Sequence, residues 1–575
     1  MLRVLSAILL CPLLSAQDVQ EPTPFERLLP EQPLVEIHLE NPAKLWKDLV
    51  KSRVGRLLAS ASLAEVHKAW KRSFELRFLQ EELGNRLGLT KTASLALFRD
   101  LQAVRGLVRL GWFARPGFGG WVLEVDAEPL ILERIQEHLT TAFGESPAEG
   151  KAHVLGRESQ VFKQKSGPWF HLTPVLLGER LYFAAWQHPD GAKILSRKPG
   201  PWMSTVGLVK KRSLIQRNRM PLMVSVDLRR IMEDLRERIA DARERKDLHD
   251  ETLQMAQLIG FHETSSVAWS LDVKRGRILQ EFRAEVPAKG RFASILGALI
   301  PREGRAIDLM AFQTKGPRTS VFISVDPAKA HDEIVRIYSE GMRDFASGEE
   351  EDLEQICEQM LGFSFKKDFF GPLDGRVLFF EGEGGADKKG GFCFGLGTKD
   401  SAKTAVVVDK LVQAAGMQEG DVEEFEGFTI HQYDLSFLWS KIAIRYVLTK
   451  QFFLLAVGDS GHRYMQRVIG REKAAQESRF RPQGDLKSQL MLVPQESATI
   501  VWADTLIAAS SLLGEWAARL ERVSSGPDAK TQGDSERSLA TLSKTLVPLL
   551  RKEGLATTLS ALGRDRHGFW IRWVW

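Results

Sequence analysis

Val35, Ile37 and Leu39 alternate with Glu36, His38 and Glu40 near the start of the main body of the chain. Alternation with a period of two predicts a strand with one covered face and a solvated polar one. Asn41 follows, a residue type whose side chain accepts an N–H at a helix start, and Pro42 suits the first helical position, where no donor is needed. Leu45, Trp46, Leu49, Val50, Val54, Leu57 and Leu58 then recur at helical spacing, with more helix reaching to about Leu87. The pattern returns in the second half of the chain. Val321, Ile323 and Val325 form the apolar set, and Asp326-Pro327-Ala328-Lys329 stands in the place of Asn41-Pro42-Ala43-Lys44. Nothing in the second copy corresponds to Glu40. A one-residue slip inside a strand would turn every side chain to the other face, so the difference belongs to the strand-to-helix turn.

Later segments pair in the same order. Residues 106–113 and 120–125 read as a hairpin with a helix from Pro129, and residues 375–381 and 391–396 repeat it with a helix from Ser401. Residues 181–186 and 452–457 read as strands entering turns, His188-Pro189-Asp190-Gly191 and Gly458-Asp459-Ser460-Gly461, with a helix behind each. A smaller module then recurs. Val224-Ser225-Val226-Asp227 leads into a long charged helix to about Ile259 and a hairpin, 267–273 and 277–286, turning near Arg275-Gly276. Val501-Trp502-Ala503-Asp504 leads into helices and a final hairpin turning at His567-Gly568. Its last strand sets Phe569, Ile571, Trp573 and Trp575 on one face, which predicts a buried C-terminus.

The expected organisation is a signal peptide at 1–16 and a flexible leader at 17–32, followed by a large module at 33–210 and a small one at 211–303. A second large module spans 304–484 and a second small one 485–575, with a mobile loop at 524–537. Strands joined by hairpins and single helices predict an α+β fold, internally duplicated, with mainly antiparallel sheets and helices packed on one face. The layout resembles a family of uncharacterised exported bacterial proteins, a domain of unknown function. The likeness lies in the Pro-containing leader, the strand–helix unit of residues 34–58 with its Lys51-Ser52-Arg53-Val54-Gly55-Arg56-Leu57-Leu58 stretch, and the alternation of hairpins and helices behind it. It implies export and this fold, and no activity.

The compartment is read from the first residues. Arg3, an apolar run over residues 4–14 and Ser15-Ala16-Gln17 match a secretory signal cut after Ala16. Cys11 lacks the small residues before it that a lipoprotein signal needs. The best other apolar stretch, residues 439–458, is interrupted by Lys441, Arg445 and Lys450 and reads as helix plus strand, not as a membrane span. The expectation is an exported protein, periplasmic or extracellular, with no transmembrane segment in the mature chain. Lys and Arg number 79 against 74 Asp and Glu, so no global field points to nucleic acid. Cys357 and Cys393 are the two cysteines left after signal removal, enough for one disulfide but equally able to stay as buried thiols.

Candidate chemistry is thin. Gly458-Asp459-Ser460-Gly461 looks like the nucleophile loop of chymotrypsin-like proteases, yet its partner in the other copy has no serine, and it reads as a turn. Glu36, His38 and Glu40 share a strand face but offer at most a pair of metal ligands. The glycine-rich stretch 382–391 joins two strands and lacks the strand–loop–helix context of a phosphate loop. Asp227, Asp326 and Asp504 each sit where a strand meets a helix and read as caps. Lys210, Lys211, Arg212, Arg217 and Arg219, with Arg229 and Arg230 beyond, form a basic stretch that could meet an anionic surface, though a solvated linker is the plainer account.

No catalytic, cofactor-binding or metal residue is therefore assigned, and no nucleic-acid partner is expected. The sequence reads as a non-catalytic envelope scaffold or binding protein for an unidentified protein or envelope component. A periplasmic carrier of a hydrophobic ligand is the alternative, and an enzyme with a site assembled from distant residues the second alternative.

Overall fold

The computed structural model describes residues 33–61, 91–187, 220–237, 258–504 and 548–575, less short breaks within the last four ranges. The signal and leader, the basic stretch at 210–219 and the loop at 524–537 lie outside the described residues. The fold is α+β, and the chain forms two compact units. Unit 1 holds Met1–Val50, Ala64–Asp227 and Ala268–Val273, and unit 2 holds Lys51–Leu63, Leu228–Val267 and Lys274–Trp575.

Unit 1 contains β1 (Val35–Glu40), α1 (Pro42–Lys51, its last residue counted with unit 2), α2 (Lys91–Ala103), β2 (Leu107–Arg115), β3 (Phe118–Asp126) and α3 (Pro129–Phe143). β4 (Pro147–Val154), β5 (Arg157–Lys163), β6 (Phe170–Leu177), β7 (Arg180–Gln187) and β8 (Leu222–Asp227) follow, and most of β9 (Ser266–Lys274) belongs here too. The strands pair antiparallel in the order β8-β1-β2-β3-β7-β6-β5-β4. The core lies between sheet and helices. Leu132, Ile135 and Leu139 of α3 pack with Leu97 of α2 on Trp121, Leu123, Val125, Leu181 and Phe183.

Unit 2 contains the short helix Arg53–Leu58, β10 (Arg277–Glu285), α4 (Arg291–Leu299), β11 (Thr319–Ser324), α5 (Pro327–Phe345), α6 (Leu353–Leu361) and a π turn, Phe365–Phe370. Next come β12 (Leu373–Glu381), β13 (Phe392–Thr398), α7 (Ser401–Ala414), β14 (Val422–Phe425), β15 (Phe428–Phe437), β16 (Ser440–Leu448) and β17 (Phe452–Val457). α8 (Gly458–Ala474), α9 (Gly484–Leu490), β18 (Thr499–Asp504), β19 (Thr557–Arg564) and β20 (Gly568–Val574) complete it. Eight strands repeat the unit 1 order as β18-β11-β12-β13-β17-β16-β15-β14, again antiparallel throughout. β19 continues from β18, β20 from β19, and β10 pairs with β20.

The duplication extends to single registers. The column Val224–Ile37–Leu110–Leu123–Phe183 of unit 1 matches Val501–Val321–Phe379–Phe394–Leu455 of unit 2, since Asp227 N–H meets the Leu34 carbonyl as Asp504 N–H meets that of Arg318. The slip lies in the strand-to-helix turn. Contrary to expectation Glu40 has a counterpart, Ser324, since their N–H groups meet the Pro221 and Ala498 carbonyls in turn, and the added residue is Asp326. Asn41 caps from a left-handed backbone, φ 47°, whereas Asp326 keeps a negative φ. Both cap their helices, with Lys44 N–H donating to Asn41 Oδ1 at 3.0 Å and Lys329 N–H to Asp326 Oδ1 at 3.2 Å.

Several local expectations are corrected. Residues 439–458 hold two strands and no helix before Gly458, because Ile442, Ile444, Tyr446 and Leu448 alternate with Lys441, Ala443, Arg445 and Val447 in a paired ladder. Gly458-Asp459-Ser460-Gly461 is the first turn of α8 itself, entered through Gly458 at φ 73°. β4 to β6 and β14 to β16 form where the sequence pattern predicts no strands. The C-terminal strand buries Trp570 and Val574 most deeply, on the face opposite the one expected, and Trp575 is 38% exposed. Glu36, expected in solvent, is 6% exposed, because Arg109 meets its carboxylate at 3.0 Å.

The Lys51–Leu58 stretch folds into unit 2. Ser52 caps the short helix by accepting Gly55 N–H, and Arg53 and Arg56 reach Asp485 and Glu553, each at 2.8 Å. Leu57 packs with Leu550 and Leu555.

Candidate functional site

Two helices enclose the central strands of unit 2, and they do so unequally. α8 lies on one face, with Tyr464 against Phe380. Phe322, Phe380, Phe452, Leu454 and Ala456 on that side are fully buried, and Cys393 nearly so. α7 lies on the other face. There Phe453, Leu455 and Val457 of β17, which alternate with the buried set, remain half-buried. The gap beneath α7 is a cavity of about 200 Å³. Leu396, Phe453 and Leu455 form its floor, with Ile444 and Tyr446 of β16 and Tyr433 of β15. Thr404, Val407, Val408, Leu411 and Val412 of α7 form its roof. Tyr433 and Tyr446 stack almost parallel, 10° apart with centroids at 5.7 Å, and His431 continues the stack. The surface lining the cavity is almost wholly apolar.

The repeat explains why the cavity is here. Glu128 and Asp400 accept the first helical N–H groups of α3 and α7, which aligns Leu132 with Thr404, Ile135 with Val407 and Leu139 with Leu411. In unit 1 the larger residues fill the space, and the floor positions Val125 and Leu181 are buried. Thr404 and Val407 are shorter, and the matching floor residues Leu396 and Phe453 are half-buried. Close packing leaves few voids larger than a water in ordinary cores, so this loss of side-chain volume is a local departure.

The side wall is pinned by a charged cluster. Glu354 of α6 accepts N–H groups of Phe365 and Lys366 at 2.9 and 2.7 Å and pairs with His331 of α5 at 2.7 Å. Asp332 holds the other ring nitrogen of His331 at 3.0 Å. Burial raises the Glu354 carboxyl, but His331 and the two backbone donors outweigh it and hold the group below its ordinary 4.5. These contacts fix the π turn that sets Phe369 at the cavity. Asp368, also on the wall, accepts Ser364 N–H at 2.8 Å, and Thr404 Oγ1 bonds Thr398 Oγ1 and the Asp400 carbonyl, each at 2.9 Å.

Other buried charges are likewise engaged. Across unit 1, Arg109 lies between Glu36 and Glu124, and Tyr182 donates to Glu124 at 3.0 Å. Burial and Glu124 push the Tyr182 hydroxyl up to about 12. Arg376 of unit 2 pairs with Asp374 and lies 4.7 Å over the Phe452 ring. In unit 2, Glu281 is fully buried between Arg283 and Arg572, and Arg53 and Arg277 share Asp485. Ion pairs this deep stabilise only when fully matched.

The candidates from sequence are scattered. His38 meets Glu40 at 3.3 Å, while Glu36 on the same face pairs with Arg109 at 3.0 Å. Ser460 is buried against Gly382 and Gly391, and its hydroxyl makes no hydrogen bond to a histidine among the described residues. Glu381 pairs with Phe392 and Gly382 N–H meets the Gly391 carbonyl, so the glycine-rich stretch closes a hairpin. Cys357 and Cys393 are separate buried thiols, and burial pushes Cys393 up to about 12. Among the described residues no group of three His, Cys, Asp or Glu side chains is placed to hold a metal. Sequence reasoning does not single out the cavity residues. The signal available is the shortening from Leu132 and Ile135 to Thr404 and Val407 between matched helices.

No family model and no curated protein matches the chain. A solved structure, crystal form I of TP0453, is similar over 50% of this chain and 90% of that one, at 10% identity and a TM-score of 0.22. A likeness that slight carries neither fold nor function.

Proposed function

We propose that this chain is an exported, non-catalytic binding protein, periplasmic or extracellular, and that the cavity beneath α7 holds the apolar part of its ligand. The observation that carries this reading is the cavity itself, open in unit 2 where the matching positions of unit 1 are filled. Apolar walls with convergent aromatic and aliphatic side chains are the usual make-up of a small-molecule pocket. The acids, imidazole and arginines described above are taken up in caps and ion pairs, which supports binding over chemistry. Export rests on the pattern of the first sixteen residues. No described helix is long and apolar enough to cross a membrane.

Native mass spectrometry of the full mature protein, purified from its own exported compartment, tests the reading against the denatured mass. The expected result is an excess mass lost on denaturation and absent from Val407→Phe, whose ring enters the cavity. A bare wild-type mass, or an excess mass retained by a folded Val407→Phe, overturns it.

A further inference from the structure

Resting on that reading, we propose that the ligand is a single-chain amphiphile whose tail of about eight carbons enters the cavity while its polar head stays in water. Thr404 and Val407 gauge the length of that tail.

Volume gives the tail length. An engineered dry cavity of roughly 150 Å³ accepts benzene, a molecule of six carbons. The cavity beneath α7, at about 200 Å³, is a third larger. In proportion it takes about eight carbons. Hydrogen bonding gives the amphiphile. The lining, its two tyrosines included, presents almost no polar surface to the cavity. The Thr404 hydroxyl is engaged by Thr398 and the Asp400 carbonyl, and one Asp368 carboxylate oxygen by Ser364 N–H. A polar head drawn inside would lose its water without a partner, a loss that disfavours the bound state. The head therefore remains at the mouth, and only hydrocarbon is recognised. The repeat identifies the gauge. Leu132 and Ile135 occupy the corresponding roof positions of unit 1, and restoring those residues at 404 and 407 would take back about three carbons' worth of the room. Thr398 Oγ1 keeps its bond to the Pro372 carbonyl when the Thr404 hydroxyl is removed, so that substitution leaves the start of α7 supported.

The test is calorimetric titration of the full mature chain, freed of any bound mass, with n-alkyl maltosides of six to twelve carbons below their micelle concentrations. The uncharged head is constant, so affinity reports the tail alone. Expected is a gain of roughly fourfold per methylene up to about eight carbons and a plateau beyond, since each buried methylene contributes a fixed increment. Thr404→Leu should bring the plateau forward by about two carbons, and Val407→Ile by about one. An affinity that climbs without a break through twelve carbons, or a break unmoved in both folded variants, overturns the tail-length assignment while leaving the binding reading intact. Absence of maltoside binding from a protein that still carries an excess native mass overturns the amphiphile. Absence of both overturns the inference together with the reading beneath it.

Discussion

Replacing Glu281 with alanine should loosen the β10–β20 pairing. Its carboxylate is fully buried; Arg283 donates to Oε1 at 2.5 Å and Arg572 to Oε2 at 2.7 Å through Nε and again through Nη2. Removing one partner of a buried ion pair typically costs about 3–5 kcal/mol, because the remaining charge is left without compensation. Here each arginine keeps a second contact, Arg283 with Asp565 at 3.0 Å and Arg572 with the Leu492 carbonyl at 2.9 Å. The lower end of that range, about 3 kcal/mol, is therefore expected. A chain of two units need not unfold in one step, so a global melting curve is the weaker assay. Amide exchange in peptides covering residues 279–285 and 568–574 reads the pairing directly. At about 1.4 kcal/mol per decade, exchange there should quicken by roughly 150-fold. Glu281→Gln keeps acceptor oxygen and loses charge, and should cost about 1–2 kcal/mol. Exchange within threefold of wild type in Glu281→Ala would refute the idea that this triad secures the two strands.

Burial holds the Glu472 carboxyl above its ordinary 4.5, and the nearby polar groups and Arg376 offset this only in part. With the folded value raised, its stabilising contribution is complete below about 4.5 and lost as pH rises through the folded value. Glu472→Gln should thus match wild type in thermal unfolding near pH 4 and exceed it at pH 7.5; a gain largest in acid would contradict this. Glu354 has the opposite sign. Its folded value is lowered, so its contribution is present above 4.5 and lost as pH falls through the folded value. Glu354→Gln should melt lower than wild type at pH 7, with the gap closing in acid, and should weaken maltoside binding through Phe369. Asn41 caps its helix from a left-handed backbone. Asn41→Ala loses the cap and, with it, the side-chain amide that offsets the left-handed backbone, at a combined cost of about 2 kcal/mol, whereas Asn41→Gly should cost no more than a few tenths. Urea unfolding of the two variants, equal within error, would show that the turn is not strained.

Much of the frame was legible because period and punctuation are local. The hairpin 106–125, the helices from Pro129 and Ser401 and the caps at Asn41 and Asp326 follow from alternation, glycine and capping residues, each read within a few positions. Strands β14 to β16 were not, since Val422-Glu423-Glu424-Phe425 carries no clean alternation and Lys441 and Arg445 look like breaks until their partners on β15 are known. Glu36 shows the limit most clearly. Its polarity marks a solvent face, and only the arginine 73 positions further on makes burial tolerable. The cavity depends on a difference in volume between paired helices, a quantity that no single segment displays.

The short helix after α1 imposes an order on biogenesis. Arg56 and its partner Glu553 are 497 positions apart, and Leu57 joins Leu550 and Leu555. At ordinary elongation rates of about 5–20 residues per second, the first partner waits about 25–100 s for the second. Unit 2 thus cannot close around its earliest segment until residues 550–555 have been made. Truncation near the C-terminus would strand an apolar helix close to the front of the chain, and a pulse of protease during synthesis should find it accessible until the end.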